Sequence, residues 1–109
     1  MQQLLAQCPQ LTAVFSQNDR MAIGAIRALR EAGRRIPDDM AIVGYDDIPP
    51  ASYCYPPLTT VRQPMQEVGR LATKLLVEMI QEPDMDRQET LLKPYLIRRA
   101  TCGGQSLVR

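Results

Sequence analysis

Two short runs, "LTAVF" at residues 11–15 and "MAIVGY" at residues 40–45, constrain the fold of this chain more than anything else in it. Both are apolar on successive residues, the pattern of strands covered on both faces. Between them the period changes. Met21, Ala22, Ala25, Ile26 and Leu29 recur at helical spacing, and Gly33 stands where a helix C-cap would. Strand, helix, strand is a β-α-β unit, and such a crossover joins parallel strands with right-handed sense. The first residues, "MQQLLAQCPQ" (1–10), resemble the last turns of a helix ended near Pro9, and "IPPASYCYPP" (48–57) is a proline-rich loop that excludes helix and central strand. "LTTV" (58–61) is a third strand. Pro64 opens the longest helix, with Val68, Leu71, Leu75, Leu76, Met79 and Ile80 on its apolar face. After a turn at 82–88, "ETLLKPYLIRRAT" (89–101) reads as a strand pair or bent strand, and "GGQSLVR" (103–109) as a loose tail. The order predicts the α/β class, a three-layer α/β/α fold with a mainly parallel sheet.

The chain has 109 residues, which suits one compact domain and not two. Charge is nearly balanced, 13 basic against 12 acidic residues, which argues against nucleic acid or an anionic membrane as the main partner of this segment. No apolar run approaches the roughly 18–20 residues of a membrane span, and no signal peptide opens the sequence. Cys8, Cys54 and Cys102 are odd in number and widely spaced, so they read as apolar fillers in a reducing compartment. Histidine is absent. That excludes a Ser-His-Asp triad, a Cys-His pair and most zinc sites.

Parallel strands joined by a crossover end on one edge of the sheet, and open α/β sheets bind ligands there. The first run ends at Ser16, Gln17, Asn18 and Asp19, the second at Asp46 and Asp47, and Gln63 follows the third. Each has an ordinary structural use as well. Asn18 or Asp19 can N-cap the next helix, and Asp19 suits that better than a ligand. Asp47 can brace the turn through its own backbone. Gln63 can be a cap neighbour beside Pro64. Asp46, the first polar residue after a buried strand, is the preferred binder. Carboxylates accept and carboxamides donate and accept, which suits the dense hydroxyls of a sugar and offers recognition without chemistry. Gly44 is isolated, so no phosphate-cradling loop is read. Arg27, Arg30, Arg34 and Arg35 lie among Glu31, Asp38 and Asp39 and read as a solvated helix end.

In order, "TAVFSQNDRMAIGAIRALREAGRRIPDDMAIVGYDD", "PPLTTVRQP" and a closing "LIRRAT" resemble the lactose/galactose-repressor family of bacterial transcription regulators, over about residues 4–101. The resemblance implies that residues 1–102 are the C-terminal lobe of a two-lobed, periplasmic-binding-protein-like (type I) effector domain, with 103–109 a flexible tail. It implies a small-molecule effector, a sugar, held by Asn18, Asp46 and Gln63, with Asp19 weaker, and no catalytic residue, metal or cofactor. It implies a homodimer formed through the helix after N-D and the loop after G-Y-D-D, which places Ile23, Tyr53 and Cys54 at the interface. Operator DNA would be met through an N-terminal helix-turn-helix headpiece, and neither that nor the N-terminal lobe lies in these residues. The expected setting is a fragment of a cytoplasmic regulator without a membrane partner. Two other readings compete with it. A periplasmic sugar-binding protein of a transporter shares the lobes, and a Mg²⁺-dependent receiver domain shares the acidic pair at a strand end.

Overall fold

The computed structural model describes residues 1–84, 86 and 89–104. In chain order it forms α1 (Gln2–Gln7), β1 (Ala13–Phe15), α2 (Asp19–Glu31), β2 (Ala41–Tyr45), α3 (Pro50–Tyr53), β3 (Thr59–Arg62), α4 (Met65–Gln81) and β4 (Tyr95–Ile97). Among the described residues the sheet has four strands in the order β1-β2-β3-β4. β1 and β2 are parallel with Val14 opposite Ile42. β2 and β3 are parallel with Gly44 opposite Thr60. β4 runs antiparallel to β3, with Val61 opposite Leu96.

The predicted crossover is therefore present, and so is its stop signal. Gly33 has φ 71°. Its N–H donates to the Arg30 carbonyl at 3.0 Å, and the Arg34 N–H donates to the Leu29 carbonyl at 2.9 Å. That is the paired closure of a Schellman cap, which needs a residue tolerant of positive φ. α2 buries Ala22, Ile26 and Leu29 completely or nearly so, against Met40 and Ile42 of the β2 region, Ala51 of α3 and Leu58 before β3. Each large apolar side chain buried there contributes roughly 1.5–3 kcal/mol.

Two local expectations change. Residues 48–57 were expected to exclude helix, yet Pro50–Tyr53 is a short one, with Pro49 at its N-cap. Proline is compatible with a first turn, where its fixed φ fits and no N–H is required. β1 is expected to be covered on both faces, but Ala13 and Phe15, which alternate onto the same face, are exposed, and only Val14 on the other face is half-buried, so β1 is covered on one face. The final region holds one strand, β4, starting directly after Pro94. Met85, Arg87 and Gln88 of the expected turn, and residues 105–109 of the expected tail, lie outside the described residues.

The chain divides into two compact units, where its length suggested one. Among the described residues, the first comprises 1–62 and 95–104 and holds the sheet with α1 to α3. Its strands are pinned by Thr101, which is fully buried. The Thr101 hydroxyl donates to the Ile42 carbonyl at 2.6 Å and accepts from the Thr59 N–H at 2.9 Å. The second unit, residues 63–94, contains α4. There Val68, Leu71, Ala72, Leu75, Thr90 and Leu92 line a hollow of about 270 Å³.

Candidate functional site

The parallel pairings set the C-terminal ends of β1, β2 and β3 along one edge of the first unit. Two bonds carry the pairing past the strands. The Ser16 N–H donates to the Val43 carbonyl at 2.8 Å, and the Asp46 N–H donates to the Val61 carbonyl at 2.9 Å. The polar residues at this edge have unequal roles.

Asn18 is the N-cap of α2, and its Oδ1 accepts from the Met21 N–H at 2.9 Å. A carboxamide capping through its oxygen retains its NH₂ group as a donor. Asp19, the weakest of the predicted effector contacts, points into the fold. It is fully buried. Its Oδ1 accepts from the Thr60 hydroxyl at 2.5 Å and its Oδ2 from the Ile48 N–H at 2.9 Å. The carboxylate thus ties α2 to β3 and to the turn after β2. Gly44 makes the approach possible, since a Cβ there would collide with Asp19 Oδ1 and lie 3.0 Å from Leu58 Cδ2. The isolated glycine of the sequence is a space for a buried carboxylate.

Asp46 and Asp47 both have positive φ, 109° and 55°. Non-glycine residues are held in such conformations by their surroundings, and sites of binding are where they concentrate. The Asp47 side chain is only 3% exposed and lies between two guanidinium groups. Its Oδ1 accepts from Arg99 Nη2 at 2.7 Å, and its Oδ2 accepts from Arg62. Burial pushes the Asp47 carboxyl up, but hydrogen bonds from Arg99 and then Arg62 outweigh it and hold the group below the usual carboxylate range. Arg62 Cζ lies 5.8 Å from the centroid of the Tyr95 ring. Arg99 also donates from Nη1 to the Leu58 carbonyl at 2.8 Å. Asp46 is half-buried beside this network. Phe15, 66% exposed, makes an edge-on contact with Tyr45 at 6.5 Å and adds an apolar surface at the same end of the sheet. Gln63 is the first residue of the second unit, where its carbonyl accepts from the Met65 N–H at 2.9 Å.

This electrostatic arrangement answers the Mg²⁺ expectation. A receiver-type site needs both carboxylates of the acidic pair for the ion. Asp47 instead has a cationic guanidinium on each oxygen. Sequence reasoning missed Thr60, Arg62, Tyr95 and Arg99. No local signal marks them, because Thr60 is 41 residues from Asp19 and Arg99 is 52 from Asp47.

Along α2, Ile23, Ile26, Arg27, Arg30, Cys54 and Tyr55 line an open groove of about 500 Å³. Two of the three expected interface residues, Ile23 and Cys54, therefore share one surface. Tyr53 and Tyr55 are 73% and 76% exposed, and Arg30 Cζ sits 5.5 Å from the centroid of the Tyr55 ring. Arg27 and Arg35 are exposed, as a solvated helix end requires, and pair with Glu31 at 2.8 Å and Asp39 at 2.7 Å, while Arg30 and Arg34 donate to the Tyr55 and Pro9 carbonyls.

Residues 1–102 match the family model described as a periplasmic binding protein-like domain. The chain belongs to that family. Its lobe is the type expected from the sequence, a mainly parallel sheet flanked by helices. It is 44% identical to the ribose operon repressor of Escherichia coli strain K12 over 101 residues, 93% of this chain and 31% of that protein. A transcriptional regulator CelR–cellobiose complex superposes with a TM-score of 0.87 at 39% identity, over 92% of this chain and 31% of that one. The lac repressor dimer bound to operator and the anti-inducer ONPF superposes with a TM-score of 0.83 at 35% identity, over 92% and 35%. The chain thus spans about a third of the length of these relatives. All three carry names of transcription regulators. No helix among the described residues is long and apolar enough to cross a membrane.

Proposed function

We propose that this chain is part of the effector-sensing domain of a cytoplasmic transcription regulator, and that the edge carrying Asn18 and Asp46 contacts a sugar. One observation carries it. Asp46 stands half-buried at the end of β2, on a backbone of φ 109°, at the sheet edge that also carries the Asn18 carboxamide. Gln63, one residue past β3, is the further contact that the family resemblance implies. A carboxylate with carboxamides offers the mixed acceptors and donors that a polyhydroxylated ring requires. No catalytic role is assigned to any of these residues. Their chemistry is reversible hydrogen bonding.

The groove beside α2, lined by Ile23 and Cys54, together with the exposed Tyr53 that precedes Cys54 in the chain, forms the contact with a second copy, consistent with the apolar and aromatic character of such surfaces. In the complete regulator, effector binding and operator binding are linked through the dimer, and DNA contact belongs to other parts of the protein. Residues 1–102 contribute to the effector domain through two compact units.

Calorimetric titration of the complete regulator with ribose and with cellobiose tests the assignment. One of these sugars should bind, and Asp46→Ala should weaken it by roughly 30-fold or more, the worth of a charge-assisted hydrogen bond. Asp46→Ala binding with wild-type affinity would remove Asp46 from the site.

A further inference from the structure

The two boundaries between the units fall at Arg62/Gln63 and Pro94/Tyr95. Arg62 and Tyr95 are therefore the last residue of the first unit before the chain leaves it and the first after it returns. They are also register partners, Arg62 opposite Tyr95 across β3 and β4. Their side chains meet, with the guanidinium carbon 5.8 Å from the ring centroid. The same guanidinium donates to Asp47. One side chain thus touches both the turn after β2 and the paired points where the chain departs and re-enters.

The turn itself is under tension. Asp46 and Asp47 have φ 109° and 55°, a conformation that persists only when surrounding contacts over-determine it. Those contacts include the Asp46 N–H on the Val61 carbonyl, the Ile48 N–H on Asp19, and the two arginines on Asp47. The arginines are not equivalent. Arg99 is 17% exposed and is anchored elsewhere in the sheet, through Nη1 to the Leu58 carbonyl and through its backbone N–H to the Thr59 hydroxyl. Arg62 is 45% exposed and is shared between Asp47 and Tyr95. Arg99 holds the aspartate in place, whereas Arg62 can pass a change of geometry from one neighbour to the next.

We propose that Arg62 is a coupling residue, which links the conformation of the Asp46–Asp47 turn to the β3–β4 crossing point through its simultaneous contacts with Asp47 and Tyr95. Its regulatory meaning rests on the reading of Asp46 as an effector contact, since a ligand at the turn would then be felt where the chain leaves the sheet. The sheet ladder and Arg99 also link β4 to the turn, since the Asp46 N–H donates to the Val61 carbonyl, Val61 lies opposite Leu96, and Arg99 donates to Asp47. The part carried by Arg62 is the part that disappears when the arginine is removed.

A double-mutant cycle on the ¹⁵N-labelled 109-residue chain isolates that coupling without any ligand, so its failure is separate from failure of the sugar titration. Tyr95→Leu should shift the amide resonances of Asp46 and Asp47 and raise their hydrogen-exchange rates by about 10-fold. In an Arg62→Gln background the same Tyr95→Leu change should leave those amides where Arg62→Gln had already put them. The amides of Ala22 and Ile26 in the α2 core serve as the folding control. If Arg62→Gln does not fold, Arg62→Lys keeps the charge and removes the planar stacking surface, and is expected to abolish the Tyr95 effect likewise. Equal shifts at Asp46 and Asp47 with and without the arginine would overturn the proposal, as would no shift from Tyr95→Leu in the wild-type background.

Discussion

At Asp46 the backbone adopts φ 109°, a region that costs a residue with a Cβ roughly 1–3 kcal/mol. Glycine has no such cost, so Asp46→Gly should raise the thermal midpoint by roughly 5 °C, equivalent to about 1 kcal/mol in a domain of this size. The same change removes the carboxylate proposed to meet the sugar. Stability rising while effector affinity falls is the expected pair of results, read by differential scanning calorimetry and titration. A lowered midpoint would show that the carboxylate's own contacts outweigh the strain. The polar clusters after each strand were legible as clusters, because polar residues directly after buried runs stand out locally. Which member serves which purpose was not. Asp19 and Asp47 look alike in sequence, and their different partners, Thr60 and the two arginines, come from positions far along the chain.

Among the elements, α2 was the most legible, since its apolar period, its Asn18 cap and its Gly33 stop all act within a few residues of one another. The short helix at Pro50–Tyr53 was not, because proline argues against helix in general and for it at a first turn. Glycine gives a test at this scale. A Cβ on Gly44 of β2 would run into the buried Asp19 carboxylate, whereas a Cβ on Gly24 of α2 would meet nothing within 4 Å. Gly44→Ala should therefore destabilise by about 3 kcal/mol, the cost of overpacking a closed site. Gly24→Ala should stabilise by up to about 1 kcal/mol through helix propensity. Urea denaturation of both variants decides it, and similar signs for the two would refute the close approach.

Across the whole molecule, acid should be the sensitive direction. With no histidine in the sequence, no imidazole titrates between about pH 5 and 7, and stability should be flat there. The side-chain hydrogen bond from Arg35 holds the Asp39 carboxyl at about 2, against an ordinary value of 3.8. Asp47 is also lowered, its arginines outweighing burial. Both folded values lie below the unfolded ones. Their contribution is therefore complete above the unfolded value and is lost as pH falls from about 4 towards 2. Thermal midpoints measured between about pH 7 and pH 2 should hold to about pH 4 and then decline, with a shallower decline in Asp47→Asn. An unchanged slope in that variant would mean that the arginine clamp does not contribute.

The β-α-β unit, the parallel sheet edge, the helix stop and the family resemblance could all be read from the chain, because each depends on neighbours within one element or on the order of elements. The tertiary structure decided that Asp47 is clamped and Asp19 buried, that Gly44 is a space for a carboxylate, and that residues 63–94 form a unit of their own. The physical reason is range. Periodicity and caps are short-range constraints that each residue shows in its own surroundings, whereas the partners of a buried charge are chosen by packing that unites residues 41 and 52 positions apart.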